Sequence, residues 1–151
     1  MMSPIFLDAD ILLDVFAERR PFYRDAARIL SLVEERQIEG CTSALIFAHL
    51  YYIIRKLRSR DIALTHLRKL HSLITVLPVD ERSIDYALNS AMADFEDAIQ
   101  FHTAKHHHIK YIITRNTKDY KPERKSNITI STADDYLMLW KSKSNTCKDM
   151  A

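Results

Sequence analysis

Glycine is almost absent from this sequence, with Gly40 the one instance in 151 residues. Loops that cradle phosphate in dinucleotide-binding and P-loop folds need several glycines for close backbone approach, so nucleotide-binding readings are weakened from the start. Cysteine is also scarce. Cys41 and Cys147 build neither a disulfide framework nor a metal cluster. No apolar run reaches the roughly 20 residues of a membrane span. The N-terminus lacks a basic region followed by an apolar stretch and a small-residue cleavage site. These absences indicate a cytoplasmic protein with no membrane partner. The hydrophobic fraction of 47% and charged fraction of 28% are ordinary for a globular chain and set aside disordered and fibrous classes. The length suits a single domain over residues 1–140, followed by a polar C-terminal tail over 141–151 without fixed structure.

What the chain does have is an alternation of short apolar runs and helical periods. Ile5-Phe6-Leu7 reads as a buried strand ending at Asp8, and Ile11 to Phe16 as a helix that stops near Pro21. Phe22, Ala26, Ile29, Leu30 and Val33 keep helical spacing over 22–37, and Gly40 fits the C-cap of that helix. A brief strand at Cys41 and Thr42 leads to Ser43, an N-cap for a helix over 44–57. A helix over 61–71, a strand over 74–79 ended by Pro78, and a helix over 83–92 follow. Ile128-Thr129-Ile130 is a last strand and 132–140 a last helix. Strands alternating with helices predict an α/β fold, a three-layer α/β/α sandwich with a central parallel sheet.

The stretch from Asp94 to Tyr120, DFEDAIQFHTAKHHHIKYIITRNTKDY, organises the rest. Asp94 and Asp97 share the first turn of a helix, where the macrodipole favours negative charge. Asp94 also suits a plain N-cap, with Asp97 as its capping-box partner. Ala98, Ile99, Phe101 and Ala104 form a core-facing stripe that holds Asp97 near the sheet's edge. Tyr111-Ile112-Ile113 is a central strand, and Thr114, Arg115, Asn116 and Asp119 lie just beyond its carboxyl end, where open α/β sheets bind ligands. With the first strand central, Asp8 emerges at the same edge as Asp97 and Asp119. Carboxylates that converge repel one another unless a cation sits between them, which points to Mg2+ or Mn2+ held by Asp8, Asp97 and Asp119. A hard cation there can activate water for phosphodiester cleavage.

FLDADILLDVF at the first strand, with DFEDAIQ and TRNTKDY far downstream, resembles the PIN domain, the fold of VapC-type toxins. The resemblance covers the chain from Ile5 to about Trp140. It implies a metal-dependent ribonuclease acting on RNA, a homodimer, and pairing with a small antitoxin protein that blocks the site. By motif position Asp8, Asp97 and Asp119 match acidic ligands, Asp94 an accessory acid, and Thr114 and Asn116 polar residues lining the pocket. Asp10 stands where the family often has Asn and is read as organising the loop. In SALIFAHLYYI, His49 occupies the place of a family Glu. Imidazole binds Mn2+ but is a poor Mg2+ ligand, so His49 either shifts the metal preference, weakens the site, or simply hydrogen-bonds an inward carboxylate.

Net charge is only +2, but Lys105, Lys110, Arg115, Lys118, Lys121, Arg124, Lys125, Lys141 and Lys143 crowd the C-terminal third, where they are expected to surround the site and steer a polyanion. His102, His106, His107 and His108 suggest zinc, but no Glu or Cys stands at the spacing of a zinc protease. Phe47 to Ile54, with Tyr51 and Tyr52, is apolar enough to predict a two-fold dimer through this helix. Two other classes compete with the nuclease. A catalytically silent PIN-like domain that binds RNA or protein would keep the fold, and the His49 substitution favours it. A receiver-like phosphotransfer domain ranks third, because no mid-chain strand ends in an acceptor Asp.

Overall fold

A computed structural model describes residues 3–123 and 126–150. Five parallel strands form one sheet in the order β3-β2-β1-β4-β5, with β1 (Ile5–Leu7) at the centre. It pairs with β2 (Gly40–Ser43) on one side and β4 (Tyr111–Ile113) on the other, in register Ile5 to Gly40 and Ile5 to Tyr111. The edges are β3 (Thr75–Leu77) and β5 (Thr129–Ser131). Successive strand residues face opposite ways. Ile5, Phe6 and Leu7 all have 0% exposure, so helices cover both faces of the sheet and the three-layer sandwich is as expected.

Helices α1 (Ala9–Phe16), α2 (Tyr23–Glu34), α3 (Ala44–Leu57), α4 (Arg60–Leu73), α5 (Glu81–Leu88), α6 (Phe95–His106) and α7 (Ala133–Asp149) supply those layers. Most begin where a side chain satisfies an orphan N–H. Asp8, Ser43, Ser59, Asp80, Asp94 and Thr132 each accept such a bond. Ser43 does double duty, because its hydroxyl also donates to Gln100 Oε1, tying the start of α3 to the middle of α6. Ala98, Ile99, Phe101 and Ala104 are buried, as their spacing predicts.

Two readings need correction. Gly40 does not cap α2. It opens β2, and a Cβ there would lie 3.1 Å from Val33 Cγ2 and 3.2 Å from Ile74 Cγ2, so glycine lets α2 and the β3 entrance close on the strand. The left-handed residue after α2 is Arg36, at φ 60. The last helix does not stop at Trp140 before an unstructured tail. Residues 141–149 continue α7, since no glycine or proline interrupts them.

Candidate active site

The chain adds β2 and β3 on one side of β1, then β4 and β5 on the other. Such a reversal opens a crevice at the carboxyl ends of the two strands that flank it. Asp8 follows β1 and Thr114 follows β4, and their side chains meet there. The Asp8 backbone N–H donates to the Ile113 carbonyl at 3.0 Å, which fixes the residue at the lip of the sheet. Its carboxylate is gripped on several sides. Oδ1 accepts from Ala9 N–H at 2.8 Å, and Oδ2 accepts from the Thr114 hydroxyl at 2.9 Å and the Tyr120 hydroxyl at 3.2 Å. Burial, then the neighbouring Asp10 charge, nevertheless pushes Asp8 up to about 6.

Asp10 does organise the loop. Its Oδ2 accepts from Arg115 N–H at 3.0 Å and lies 3.2 Å from Thr114 Oγ1, which in turn accepts from Asn116 N–H at 3.1 Å. A single Thr114 hydroxyl proton therefore serves two carboxylates, and the buried Asp10 Oδ1 has no partner among the described residues. Burial raises Asp10, against hydrogen bonds and the Arg115 charge. Beside it, Asp14 is wholly buried against two arginines. Arg115 Nη2 donates to its Oδ1 at 3.0 Å, Arg115 Nε sits 2.9 Å from Oδ2 but off line for a hydrogen bond, and Arg19 Nε is 3.2 Å from Oδ1. Phe22 lies under the Arg115 guanidinium, 4.0 Å from ring centre to Cζ. Arg115 is thus a counter-ion inside the wall of the site, not a free cation for a ligand.

Helix α6 brings the other acids. Asp94 is its N-cap, accepting from Asp97 N–H at 2.9 Å, so its plain capping role holds. The half-buried Asp97 carboxylate makes no hydrogen bond of its own among the described residues, and burial together with the charges of Asp8, Asp94, Asp119 and Glu96 pushes it up to about 7. Asp119 reaches the site from the 3-10 helix Thr117–Glu123. His49, on α3, bonds Glu96 on α6 through Nδ1 and Oε1 at 2.6 Å. Asp8, Asp97, Asp119, Asp94, Asn116 and His49 all line one pocket of about 370 Å³, and Thr114 lies beneath it, bonded to Asp8.

The donors are oxygens apart from His49, which suits a hard divalent cation, and a positive charge between Asp8 and Asp97 would relieve both raised carboxyls. Among the described residues, no three His, Cys, Asp or Glu side chains are grouped tightly enough to hold an ion unaided. The fit is therefore to an ion that keeps several of its waters, as Mg2+ does.

Sequence reasoning missed Glu96, Tyr120 and the Asp14 cluster. Asp10 and Asp14 stand four apart on one helix, a spacing that could have flagged a polar stripe aimed at a cation. Nothing local announces that Glu96 pairs with a histidine 47 positions away. Of the basic crowd, only Arg115 among the described residues lines this pocket, and it is held by Asp14. Lys105, in the last turn of α6, and Lys110, just beyond it, line a different cleft, because α6 carries the chain from the carboxyl edge of the sheet back to its amino edge. Arg124 and Lys125 lie outside the described residues.

A PIN domain family model matches residues 4–118. Ribonuclease VapC1 of Aquifex aeolicus (strain VF5) is 21% identical over 141 residues, covering 90% of this chain and 94% of that protein. DNA-bound VapBC from Salmonella typhimurium superposes with a TM-score of 0.65 at 16% identity, over 87% of this chain and 99% of that one. A toxin-antitoxin complex from Klebsiella pneumoniae gives 0.62 at 21% identity, over 83% and 95%. VapC20 from Mycobacterium tuberculosis, a toxin that cleaves the sarcin-ricin loop, gives 0.59 at 16%, over 72% and 86%.

Proposed function

This chain belongs to the PIN domain family, and we propose that its acidic pocket is the active site of a Mg2+- or Mn2+-dependent endoribonuclease, the toxin of a toxin-antitoxin pair. The observation that carries this reading is the convergence of Asp8, Asp97 and Asp119, from three distant segments, on one pocket where two carboxyls are pushed up to about 6 and about 7. The ribonuclease name of the Aquifex relative and the toxin-antitoxin complexes among the structural neighbours support it.

Asp8 and Asp97 would hold the cation, with Asp119 close by. When bound, the ion supplies charge neutralisation for the phosphodiester and a water of lowered pKa. Thr114, Tyr120 and Ala9 N–H fix Asp8 so that it presents one orientation to the pocket. Asp119, exposed at the rim, orients the attacking water and takes its proton for in-line displacement. His49 is engaged by Glu96 and acts on the site through that carboxylate. A second reading, a silent PIN-like domain that binds RNA or protein, is favoured by His49 in place of the family Glu and by the lack of a tight three-residue cation group among the described residues.

Single-turnover cleavage of a short structured RNA in Mg2+, Mn2+ and EDTA separates the two. Asp97→Asn should lose at least about a hundredfold, the scale at which a displaced catalytic group is felt. Equal, slow cleavage by wild type and variant in both metals would leave the silent reading in its place. The protein would also be a two-fold dimer. Phe47, Tyr51 and Ile53 are half-buried within the fold, so the apolar face available for pairing consists of Tyr52, Leu57 and Ile62 on α3 and α4, at 65%, 61% and 41% exposure. Light scattering at micromolar concentration should give twice the chain mass, and Tyr52→Asp should reduce it.

A further inference from the structure

Among the described residues, a cleft larger than the acidic pocket has no part in the site above. It holds about 700 Å³ at the amino edge of the sheet, between α5, the C-terminus of α6 and the entrance to β5. Arg82, Lys105 and Lys110 line it with two histidines of α6, and no carboxylate of the described residues is in its lining. These cations come from separate stretches of chain. The macrodipole accounts for Lys105 at the end of α6. It does not account for Arg82 on α5 or Lys110 before β4. None of the three takes part in an ion pair among the described residues, whereas Arg19 and Arg115 at the acidic pocket both pair with Asp14.

Aromatic rings lie among the cations. Tyr86 stacks on His102 with centroids 5.4 Å apart and 23° between planes, and meets His106 edge-on at 5.3 Å. Tyr86 still leaves 49% of its surface in solvent. His106 is fixed by Ser83 Oγ at 3.2 Å. Burial, then Arg82, His107 and Lys105, hold it below its ordinary value, with Asp80 opposing. Asp80, the acid that opposes this shift, is committed to capping α5 through Ser83 N–H at 3.0 Å. His108 holds a left-handed backbone, φ 59, at the turn that presents Lys110.

Cations without partners call for an anion, and a half-exposed ring braced from behind calls for a flat ligand. A peptide carboxylate would use the first feature alone. A single-stranded polynucleotide uses both, with phosphates on Arg82, Lys105 and Lys110 and a base on Tyr86. We propose that this cleft is a second binding place for single-stranded RNA, one helix length, about 18 Å, from the acidic pocket. It extends the ribonuclease reading, since it lets the chain hold the same polymer away from the point of cleavage.

The test is anisotropy of a fluorescein-labelled single-stranded RNA of about ten nucleotides with the full chain in EDTA, where cleavage does not occur. Arg82→Ala/Lys105→Ala/Lys110→Ala should raise Kd at least tenfold and flatten the salt dependence by about two, given a slope of about −0.7 per phosphate contacted. Tyr86→Ala should raise Kd about fivefold or more, as loss of one stacked base does. All four side chains are exposed, and circular dichroism should confirm that the variants keep the fold. Added RNA should shift the His102 and His106 ring signals in wild-type NMR spectra. Unchanged Kd and salt slope in the triple variant overturn the proposal. So does a polyglutamate competitor that binds as tightly as RNA with no effect of Tyr86→Ala, which assigns the cleft to an acidic peptide. RNA bound through the cleft without any cleavage would sink the nuclease reading and leave this one standing, while cleavage with unaltered affinity in the triple variant would do the reverse.

Discussion

Helix α6 carries opposite chemistry at its two ends. At its N-terminus Asp94, Glu96 and Asp97 face Asp8 and Asp119, and at its C-terminus Lys105 and His106 face Arg82 and Lys110. Both signs agree with the macrodipole, which favours anions at the first turn and cations at the last. The dipole does not explain the difference in burial. Asp8 is 6% exposed and Asp97 half-buried, so their carboxyls are pushed up, while Arg82, Lys105 and Lys110 stay in solvent. Charge crowded inside a wall demands a counter-ion of fixed geometry. Charge left in water only attracts, at long range and weakly in salt. The buried end is suited to chemistry and the exposed end to holding a polymer.

The largest expected separation between the ends is in cleavage. Asp97→Asn should lower the single-turnover rate about a hundredfold or more and leave RNA affinity unchanged. The Arg82/Lys105/Lys110 triple alanine variant should do the opposite, weakening binding while cleavage at saturating RNA stays near wild type. If both variants change both quantities alike, the two ends do not have separate roles.

Metal should distinguish the ends next. Mg2+ or Mn2+ at about a hundred times its Kd should add about 2.7 kcal/mol to the unfolding free energy, an effect that comes through the acidic end alone. Thermal unfolding with and without metal measures it. Asp8→Asn should abolish the gain and the triple alanine variant should retain it, whereas equal gains in all three would place the ion elsewhere.

His49 then tests how far the acidic end depends on its second rank of residues. The His49–Glu96 pair is short, but both side chains are about two-fifths exposed, at 40% and 42%, so it should contribute under about 1 kcal/mol to stability. Its effect on metal should be larger. Freeing Glu96 by His49→Ala is expected to weaken Mn2+ binding about tenfold, typical for a residue that orients a group beside a metal, and His49→Gln should recover part of it. Titration with Mn2+ followed by electron paramagnetic resonance reads this without any turnover.

Which of these features could be seen in the sequence follows from the range of the interactions. β-branched runs and N-cap residues act within a few positions, so Ile5–Leu7, Tyr111–Ile113 and the starts at Ser43 and Asp94 were legible. Asp8 was legible because a strand end at a parallel sheet's carboxyl edge is a position sequence can mark, whereas Asp97 in the first turn of α6 and Asp119 on the 3-10 helix were singled out by motif position. Pairings made in space were not legible. Glu96 finds His49, Tyr120 finds Asp8 and Arg115 finds Asp14 across 47, 112 and 101 residues, which no local pattern encodes. Gly40 was misread because helix capping and close packing both select glycine, and only the contacts with Val33 and Ile74 decide between them. Lys105 and Lys110 were placed at the wrong end because counting charge along the chain ignores the traverse of α6.

The smallest effect is the pH dependence of the metal-free fold, and there the two ends pull in opposite directions. Asp97 and Asp8 are raised from 3.8 to about 7 and about 6, so the folded state holds their protons more tightly than the unfolded chain does. The stability from this source is complete below about 3.8 and is lost as pH rises through 6 and 7. His106 is lowered from 6.5, so its contribution is present above that value and is lost as pH falls through the range below it. The acidic end should dominate, because two carboxyls are displaced there against one imidazole at the other end. In EDTA the wild-type midpoint should therefore be higher at pH 5 than at pH 8. Asp97→Asn should flatten the difference by raising the pH 8 value, and His106→Gln should enlarge it by removing the opposing contribution. A wild-type midpoint that does not change between pH 5 and pH 8, and that Asp97→Asn leaves alone, would mean that the carboxylates at the head of α6 are not crowded, and the case for a cation between them would fall with it.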